Sequence, residues 1–503
     1  METIHHLIEA AAAARPDGTA IVDCDGRSLT YAQHAASIDA AAETLAEQGL
    51  RAGDRLAIVA ENCHAETALI FAASKLGAVA VPLNARMTAS ELAKVLAHAG
   101  PRLVAFTTGV SPEAFAHAER AGATDCGLPG LRFAPHAGEA TPAADPATAV
   151  ILYTTGTTGD PKGVMLTHGN LRFAGMTSAN LRNMAEDDTI FGVLPMTHVF
   201  GLASMLIAAT HAHAAIRLEA RFTPAALHAA LTQGATVFPG VPQMHALLMD
   251  HVARQGLTRL EGAKLRYVSS GAAPLDPAWK RKAEGFYGLP LQNGYGMTES
   301  TAGICGTRNP IGTPDVSVGP ALPGIEIDLD PDMGGGEAGV GEILTRGPHV
   351  MAGYYRNPKE TARVLSEDGW LRTGDLGRID ADGRLTVVGR CKELIIRGGF
   401  NVYPPEVEAA LNDHPDVIQC AVIGRTKPGG DEEVLAFVQC ADPDALDIAA
   451  LRAFAAVRLA AYKRPERIVA ATALPAAPTG KILKHRLAEH FADRLADPET
   501  QTA

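Results

Sequence analysis

Over the first hundred residues the hydrophobic pattern alternates between two textures. Alanine-rich stretches carry apolar positions at helical spacing, and between them lie short continuous apolar runs such as Arg55-Leu-Ala-Ile-Val-Ala60 and Ala78-Val-Ala-Val-Pro82. Runs of that length between helical patterns predict helices packed on a largely parallel sheet, an α/β architecture. An exposed connection is expected over His136–Pro146, where Gly, Pro and Asp gather.

After about Asn309 the texture changes to short strands separated by turn residues, including Asp332-Met-Gly-Gly-Gly-Glu337 and Asp380-Ala-Asp-Gly-Arg384. This predicts a small β-barrel or distorted sheet over about 309–390. Beyond Gly389-Arg390 a third pattern begins: a hairpin-like stretch from Leu394 to Val402, a helix from Pro405, strands near Val417 and Val434, and a last helix from Lys484. It reads as an α+β unit of roughly 110 residues, ordinary for a domain.

Composition narrows the partners. At 503 residues the chain exceeds what one core usually holds, so at least two domains are expected. A net charge of -12 argues against nucleic acid and anionic membranes, which need basic faces, so any phosphate ligand must be met by local charges. Cys24, Cys63, Cys126, Cys305, Cys391, Cys420 and Cys440 are scattered without a C-x-x-C pair, which predicts neither a zinc site nor a disulfide framework and fits a reduced, cytoplasmic setting. The opening Met1-Glu2-Thr3-Ile4-His5-His6 lacks a basic and apolar leader, and no apolar span reaches ~18 residues, so neither secretion nor membrane insertion is expected. His211 and His213, two apart, would diverge on a helix, which favours ordinary histidines over metal ligands.

The most chemical stretch is Ile151-Leu-Tyr-Thr-Thr-Gly-Thr-Thr-Gly-Asp-Pro-Lys-Gly-Val164. It reads as a strand opening into a loop of glycine and hydroxyl residues that ends in one lysine. Glycine lets backbone N–H groups approach anionic oxygens, Thr154, Thr155, Thr157 and Thr158 offer hydroxyl donors, and Lys162 supplies a mobile charge. The G-x-x-x-x-G-K-[ST] pattern of a Walker loop fails, because Lys162 follows Pro161 and precedes Gly163.

This loop resembles the phosphate-binding signature of the adenylate-forming superfamily, which includes acyl-CoA synthetases, 4-coumarate-CoA ligases, luciferases and peptide-synthetase adenylation domains; Thr155 stands where serine is common. Further motifs follow in the family's order. Asn293-Gly-Tyr-Gly-Met-Thr-Glu-Ser300 is similar to the adenine and metal motif. The resemblance implies Asn293 in the nucleotide site, Tyr295 stacked on adenine, Thr298 as donor to the α-phosphate and Glu299 as the Mg²⁺ ligand, since a hard cation on a nucleotide needs few protein oxygens. Ser269-Ser-Gly-Ala-Ala-Pro-Leu275 resembles the segment lying flat along the base, with Gly271, Ala272 and Ala273 permitting close approach.

Trp370-Leu-Arg-Thr-Gly-Asp-Leu376 resembles the ribose motif, in which Asp375 accepts from both hydroxyls and Arg390 adds a second contact. Ala477-Pro-Thr-Gly-Lys-Ile-Leu-Lys484 resembles the motif of the catalytic lysine, here Lys481, whose charge would offset repulsion between a carboxylate and the α-phosphate. Pro195-Met-Thr-His-Val-Phe-Gly201 resembles the border of the acyl pocket. There His198 would position the substrate carboxylate rather than act as a base, because the acid is already ionised at neutral pH. Gly389 to Tyr403 resembles the hinge and the hairpin of the second half-reaction, with Lys392 at the hinge and Gly398 and Gly399 beside a pantetheine arm.

The resemblance implies a large N-terminal α/β domain (1–391, with the β-barrel subdomain) and a small mobile C-terminal α+β domain (392–503). It also implies an acyl-CoA synthetase that uses ATP, Mg²⁺ and CoA, with Thr154, Thr155, Gly156, Thr157, Thr158, Gly159 and Lys162 around the phosphates. The implied acyl pocket is His198, Val199, Val241, Met244, Gly271, Ala272, Gly294 and Gly303, none with a permanent positive charge. Gly294 stands where malonyl-CoA synthetases of the family carry arginine, and Gly294 and Gly303 are expected to leave depth. The expected acid is therefore a medium-chain or aryl monocarboxylate. Transfer to an amine or a carrier-protein thiol would use the same first half-reaction and stays open, as does a monomer or a homodimer. A non-catalytic nucleotide-binding protein is the reading from another class, and the joint presence of Lys162, Glu299, Asp375 and Lys481 argues against it.

Overall fold

The computed structural model describes residues 2–136, 147–155, 161–271, 275–333, 337–427, 431–476 and 482–496. Apart from His136, the connection expected before the phosphate loop lies outside these residues. Two compact units divide the chain: Met1–Leu275, Lys280–Glu326 and Thr345–Leu371 form the first, and Asp276–Trp279, Ile327–Leu344 and Arg372–Ala503 the second.

Two eight-stranded sheets build the first unit. In one, the strands run in the order Ala302–Gly306, Leu291–Met297, Tyr267–Ser270, Val237–Gly240, Thr189–Gly192, Ala215–Leu218, Thr19–Val22 and Ser28–Thr30. Its six inner strands are parallel and the two edges antiparallel. In the other, the order is Gly353–Tyr354, Pro161–Thr167, Thr148–Thr155, Val79–Asn84, Arg55–Ala60, Leu103–Phe106, Arg132–Pro135 and Thr124–Asp125. The two apolar runs read from the sequence are neighbours there, paired in parallel from Arg55↔Val79 to Ala60↔Asn84. Every residue of Arg55–Ala60 is buried, as expected of a strand covered on both faces.

Arg55 is the exception to that apolar logic, and its partners explain it. Helix Ala89–Ala99 begins in a capping box of Thr88 and Glu91 and ends at Gly100 with φ 55°. The guanidinium of Arg55 donates to the Ala99 carbonyl at 3.1 Å and to the Gly100 carbonyl at 2.6 Å, so a buried cation satisfies carbonyls that a helix C-terminus leaves open.

The second unit contains most of a four-stranded sheet, ordered Glu326–Asp330, Gly341–Arg346, Leu371–Ile379 and Leu385–Arg390, where short strands are expected after Asn309. Beyond it come the hairpin Ile395–Arg397 and Phe400–Val402, helix Pro404–Asn412, and a three-stranded sheet of Gln419–Thr426, Glu432–Gln439 and Arg467–Ala471. Helix Lys484–His490 starts at the predicted residue. A core of Val407, Leu411, Val422, Val434, Val438 and Leu451 lies wholly within this C-terminal stretch.

Candidate active site

Strand Thr148–Thr155 pairs antiparallel with Pro161–Thr167, with Thr154 opposite Lys162. The loop of Gly156, Thr157, Thr158 and Gly159, and the side chain of Thr155, lie outside the described residues. Lys162 is half-buried, ion-paired with Glu360, and its Nζ sits 5.2 Å from the centre of the Tyr354 ring, within cation–π range. Tyr354 is brought there by backbone pairing, since Gly353–Tyr354 adds antiparallel to Pro161–Thr167 with Tyr354 opposite Val164.

The stretch read as the adenine and metal motif begins on strand Leu291–Met297, which carries Asn293 to Met297. Asn293 is buried; its amide donates to the Ser317 carbonyl at 3.0 Å and its Oδ1 accepts from Gly294 N–H at 2.9 Å. Tyr295 is half-buried opposite Cys305. Gly296 is required by packing: a Cβ there would fall 1.4 Å from the Ala302 carbonyl oxygen. The chain then turns through a 3₁₀ segment, Thr298–Ser300, with Thr298 and Glu299 both buried. Thr301 (φ 48°) and Ala302 (φ 84°) follow in the left-handed region, a strained conformation for a β-branched residue and for alanine. Thr301 is held by its hydroxyl donating to the His349 carbonyl at 2.7 Å, and Met351 N–H donates to the Glu299 carbonyl at 2.9 Å. The Glu299 carboxylate accepts a 2.8 Å hydrogen bond from the Tyr354 hydroxyl. Burial and the Glu299 carboxylate both push the Tyr354 phenol well above its ordinary pKa, so it stays a donor.

On the acyl side, His198 is exposed and its Nδ1 accepts from Phe200 N–H at 3.2 Å. An accepting Nδ1 leaves the proton on Nε2 in the neutral ring, a donor suited to a carboxylate. The chain continues through a π-helical segment, Leu202–Ile207, a geometry frequent near functional sites. Val199 belongs to one apolar cluster against which Phe200, Val241 and Met244 pack. A Cβ on Gly271 would meet the Phe200 ring at 3.2 Å. Phe200 thus packs against the backbone of Gly271, a neighbour that the sequence alone does not indicate. A Cβ on Gly294 would meet the Cys305 carbonyl at 3.2 Å and one on Gly303 would meet Leu322 at 3.1 Å, so a larger residue at either position needs a neighbour to shift. His245 is wholly buried, its Nδ1 sharing a 2.8 Å hydrogen bond with the Tyr287 hydroxyl, and burial lowers its pKa to about 4, so it brings no charge beside Met244.

In the second unit, Asp375 and Arg390 face each other across paired strands, with Arg390 Nε 3.0 Å from Asp375 Oδ1. The turn from Arg397 to Phe400 places Gly398 at φ 58° and Gly399 at φ 79°, two positive values that only glycine adopts readily in a two-residue hairpin. Gly398 N–H donates to Asp431 at 2.6 Å. Lys392 is exposed in the turn after Arg390. Ala272, Ala273 and Lys481 lie outside the described residues.

A two-residue contact set, Tyr354 and Glu360, was absent from the sequence reading. Neither carries a motif that points to a partner, because their contacts span 55 and 198 residues of chain.

The model of AMP-binding enzymes matches residues 8–355, and that of the AMP-binding enzyme C-terminal domain matches residues 406–481. The chain belongs to the AMP-binding enzyme family. Within it the chain is an acid–CoA ligase. It is 32% identical over 506 residues to the sulfoacetate–CoA ligase of Cupriavidus necator, covering 97% of this chain and 98% of that protein. It is 34% identical over 484 residues to a feruloyl-CoA synthase of Amycolatopsis sp, covering 93% and 94%. Its structure matches o-succinylbenzoate CoA synthetase from Bacillus subtilis in complex with the acyl-adenylate intermediate at TM-score 0.81, with 27% identity over 99% of both chains.

Proposed function

We propose that this ligase activates an apolar monocarboxylate, of medium chain length or aryl type, as an acyl-adenylate and passes it to CoA. A carboxylate oxygen of the acid bonds to the α-phosphorus of ATP and the bond to pyrophosphate breaks; the CoA thiol then displaces AMP, its proton leaving to solvent. The observation that carries this is that one side chain, Tyr354, reaches both Lys162 and Glu299 within one unit, which links the stretches read as phosphate and metal motifs. Glu299 fits a hard cation: among the described residues the Tyr354 hydroxyl is its one side-chain hydrogen-bond partner, which leaves carboxylate capacity for Mg²⁺. When bound, Mg²⁺ supplies charge neutralisation for the phosphates. Thr298 serves the α-phosphate, Tyr295 the adenine, and Asp375 with Arg390 the ribose. Lys481 enters for adenylation, and the 392–503 domain turns about Lys392 before CoA arrives with Gly398 and Gly399 along its arm.

For the acid, support comes from Val199, Phe200, Val241 and Met244 in one apolar cluster and from a neutral His245. A second carboxylate or a sulfonate would be buried there unpaired, at a cost of about several kcal/mol. The test is acid-dependent pyrophosphate release across acetate, hexanoate, benzoate, cinnamate, malonate, oxalate and sulfoacetate, followed by separate addition of CoA and amines. The kcat/KM is expected to rise from acetate to hexanoate or an aryl acid, with thioester formed only from CoA. A dianionic acid as best substrate would overturn the pocket assignment.

A further inference from the structure

Tyr354 and Glu360 belong to no motif that the proposed reaction uses, yet each holds a group that it does use. Tyr354 is 6% exposed. Its hydroxyl donates to Glu299 Oε1 at 2.8 Å while its ring face lies 5.2 Å from Lys162 Nζ. The strand pairing of Tyr354 with Val164 fixes this double reach, because it seats the ring beside the strand that carries Lys162. Glu360 sits in the first turn of helix Pro358–Val364, whose N-cap Asn357 accepts its N–H at 3.1 Å. The Glu360 carboxylate binds Lys162 and accepts from Arg363 at 2.7 Å.

We propose that Tyr354 and Glu360 are positioning residues that form a resting frame for the phosphate side of the site: Tyr354 orients the metal carboxylate, and Glu360 stands in for phosphate on Lys162 until nucleotide arrives. This rests on the roles given above to Glu299 and Lys162. A carboxylate tied at one oxygen presents the other in a fixed direction, and an outer partner of a metal ligand is worth about 10-fold or more in metal affinity. Glu360 acts in the opposite sense. Its charge competes with the polyphosphate for one ammonium, so removing the charge favours the nucleotide.

The experiment uses the full chain. For Tyr354→Phe, the Mg²⁺ concentration giving half-maximal acid-dependent pyrophosphate release should rise about 10-fold, and Mn²⁺ binding to the complex with a non-hydrolysable ATP analogue, read by electron paramagnetic resonance, should weaken equally. Thioester formation from pre-made acyl-adenylate and CoA should be unchanged, which also shows that the variant folds. For Glu360→Gln, the KM for ATP should fall about fivefold with the KM for the acid unmoved. An unaltered Mg²⁺ requirement in Tyr354→Phe, or equal losses in both half-reactions, overturns the tyrosine's role; an unchanged or raised KM for ATP in Glu360→Gln overturns the glutamate's. Glu299→Gln separates the two levels. If it leaves the Mg²⁺ requirement untouched, the role given to Glu299 has failed; if it shifts that requirement and Tyr354→Phe does not, only the frame has failed.

Discussion

At the scale of single residues, function divides by half-reaction. In the proposed reaction Lys481 would offset charge only while an acid approaches the α-phosphate, so Lys481→Ala is expected to lose most pyrophosphate release while pre-made acyl-adenylate and CoA still give thioester. Equal loss in the two assays contradicts that division. Local geometry was legible in the sequence: Thr298 and Glu299 are adjacent in one short turn, and Gly398 with Gly399 meets a turn that demands two positive φ values. Tyr354 was illegible for the opposite reason. Its neighbours in sequence say nothing of a carboxylate 55 residues away, and only strand pairing brings the two together. The contact of Leu322 beside Gly303 was illegible for the same long-range reason.

At the scale of elements, strand Leu291–Met297 is held by a buried ion pair. Lys280 and Glu284 are 2.6 Å apart with side chains 3% and 4% exposed, and Glu284 also accepts from Leu291 N–H at 3.1 Å and Gly312 N–H at 3.0 Å. Removing one partner leaves an uncompensated charge, so Lys280→Met should cost about 3–5 kcal/mol in urea unfolding, while a Lys280→Met, Glu284→Gln double variant recovers part of it. The hinge is tested by stiffness rather than by charge. Proline at 392 fixes φ without removing any residue assigned to ATP, and the expected phenotype is near-normal adenylate formation with a slow thioester step. Normal overall turnover in Lys392→Pro would remove it as the hinge. Buried parallel strands such as Arg55–Ala60 were readable because a short apolar run has few other uses. The π-helical stretch Leu202–Ile207 was not, since an all-apolar run carries no period that separates π from α.

At the scale of the whole first unit, buried histidines set the response to pH. Burial lowers His34 to about 3 and His168, His245 and His349 to about 4, so the folded state keeps them neutral where the unfolded chain, titrating near 6.5, takes up protons. Their stability is present above about pH 6.5 and is lost as pH falls toward their folded values. Glu66 works in the other direction: burial raises it to about 8, so its contribution is present below the usual carboxylate range and is lost as pH rises through about 8. Unfolding free energy by urea should therefore peak near pH 6.5, falling steeply on the acid side and gently on the alkaline side. Glu66→Gln should flatten the fall between about pH 6.5 and 8 and steepen the acid side, where Glu66 opposes the histidines; an unchanged alkaline slope would refute its assignment.

Sheet order also sets a timetable for synthesis. Strand Thr19–Val22 pairs in parallel with Ala215–Leu218, a partner that leaves the ribosome roughly 200 residues later, about 10–40 s at about 5–20 residues per second. Tyr354 and the edge strand that seats it come later still. For that interval Thr19–Val22 has only the antiparallel partner Ser28–Thr30 and one open edge, and the contacts of Tyr354 with Lys162 and Glu299 form only when the last segment of the first unit has been made.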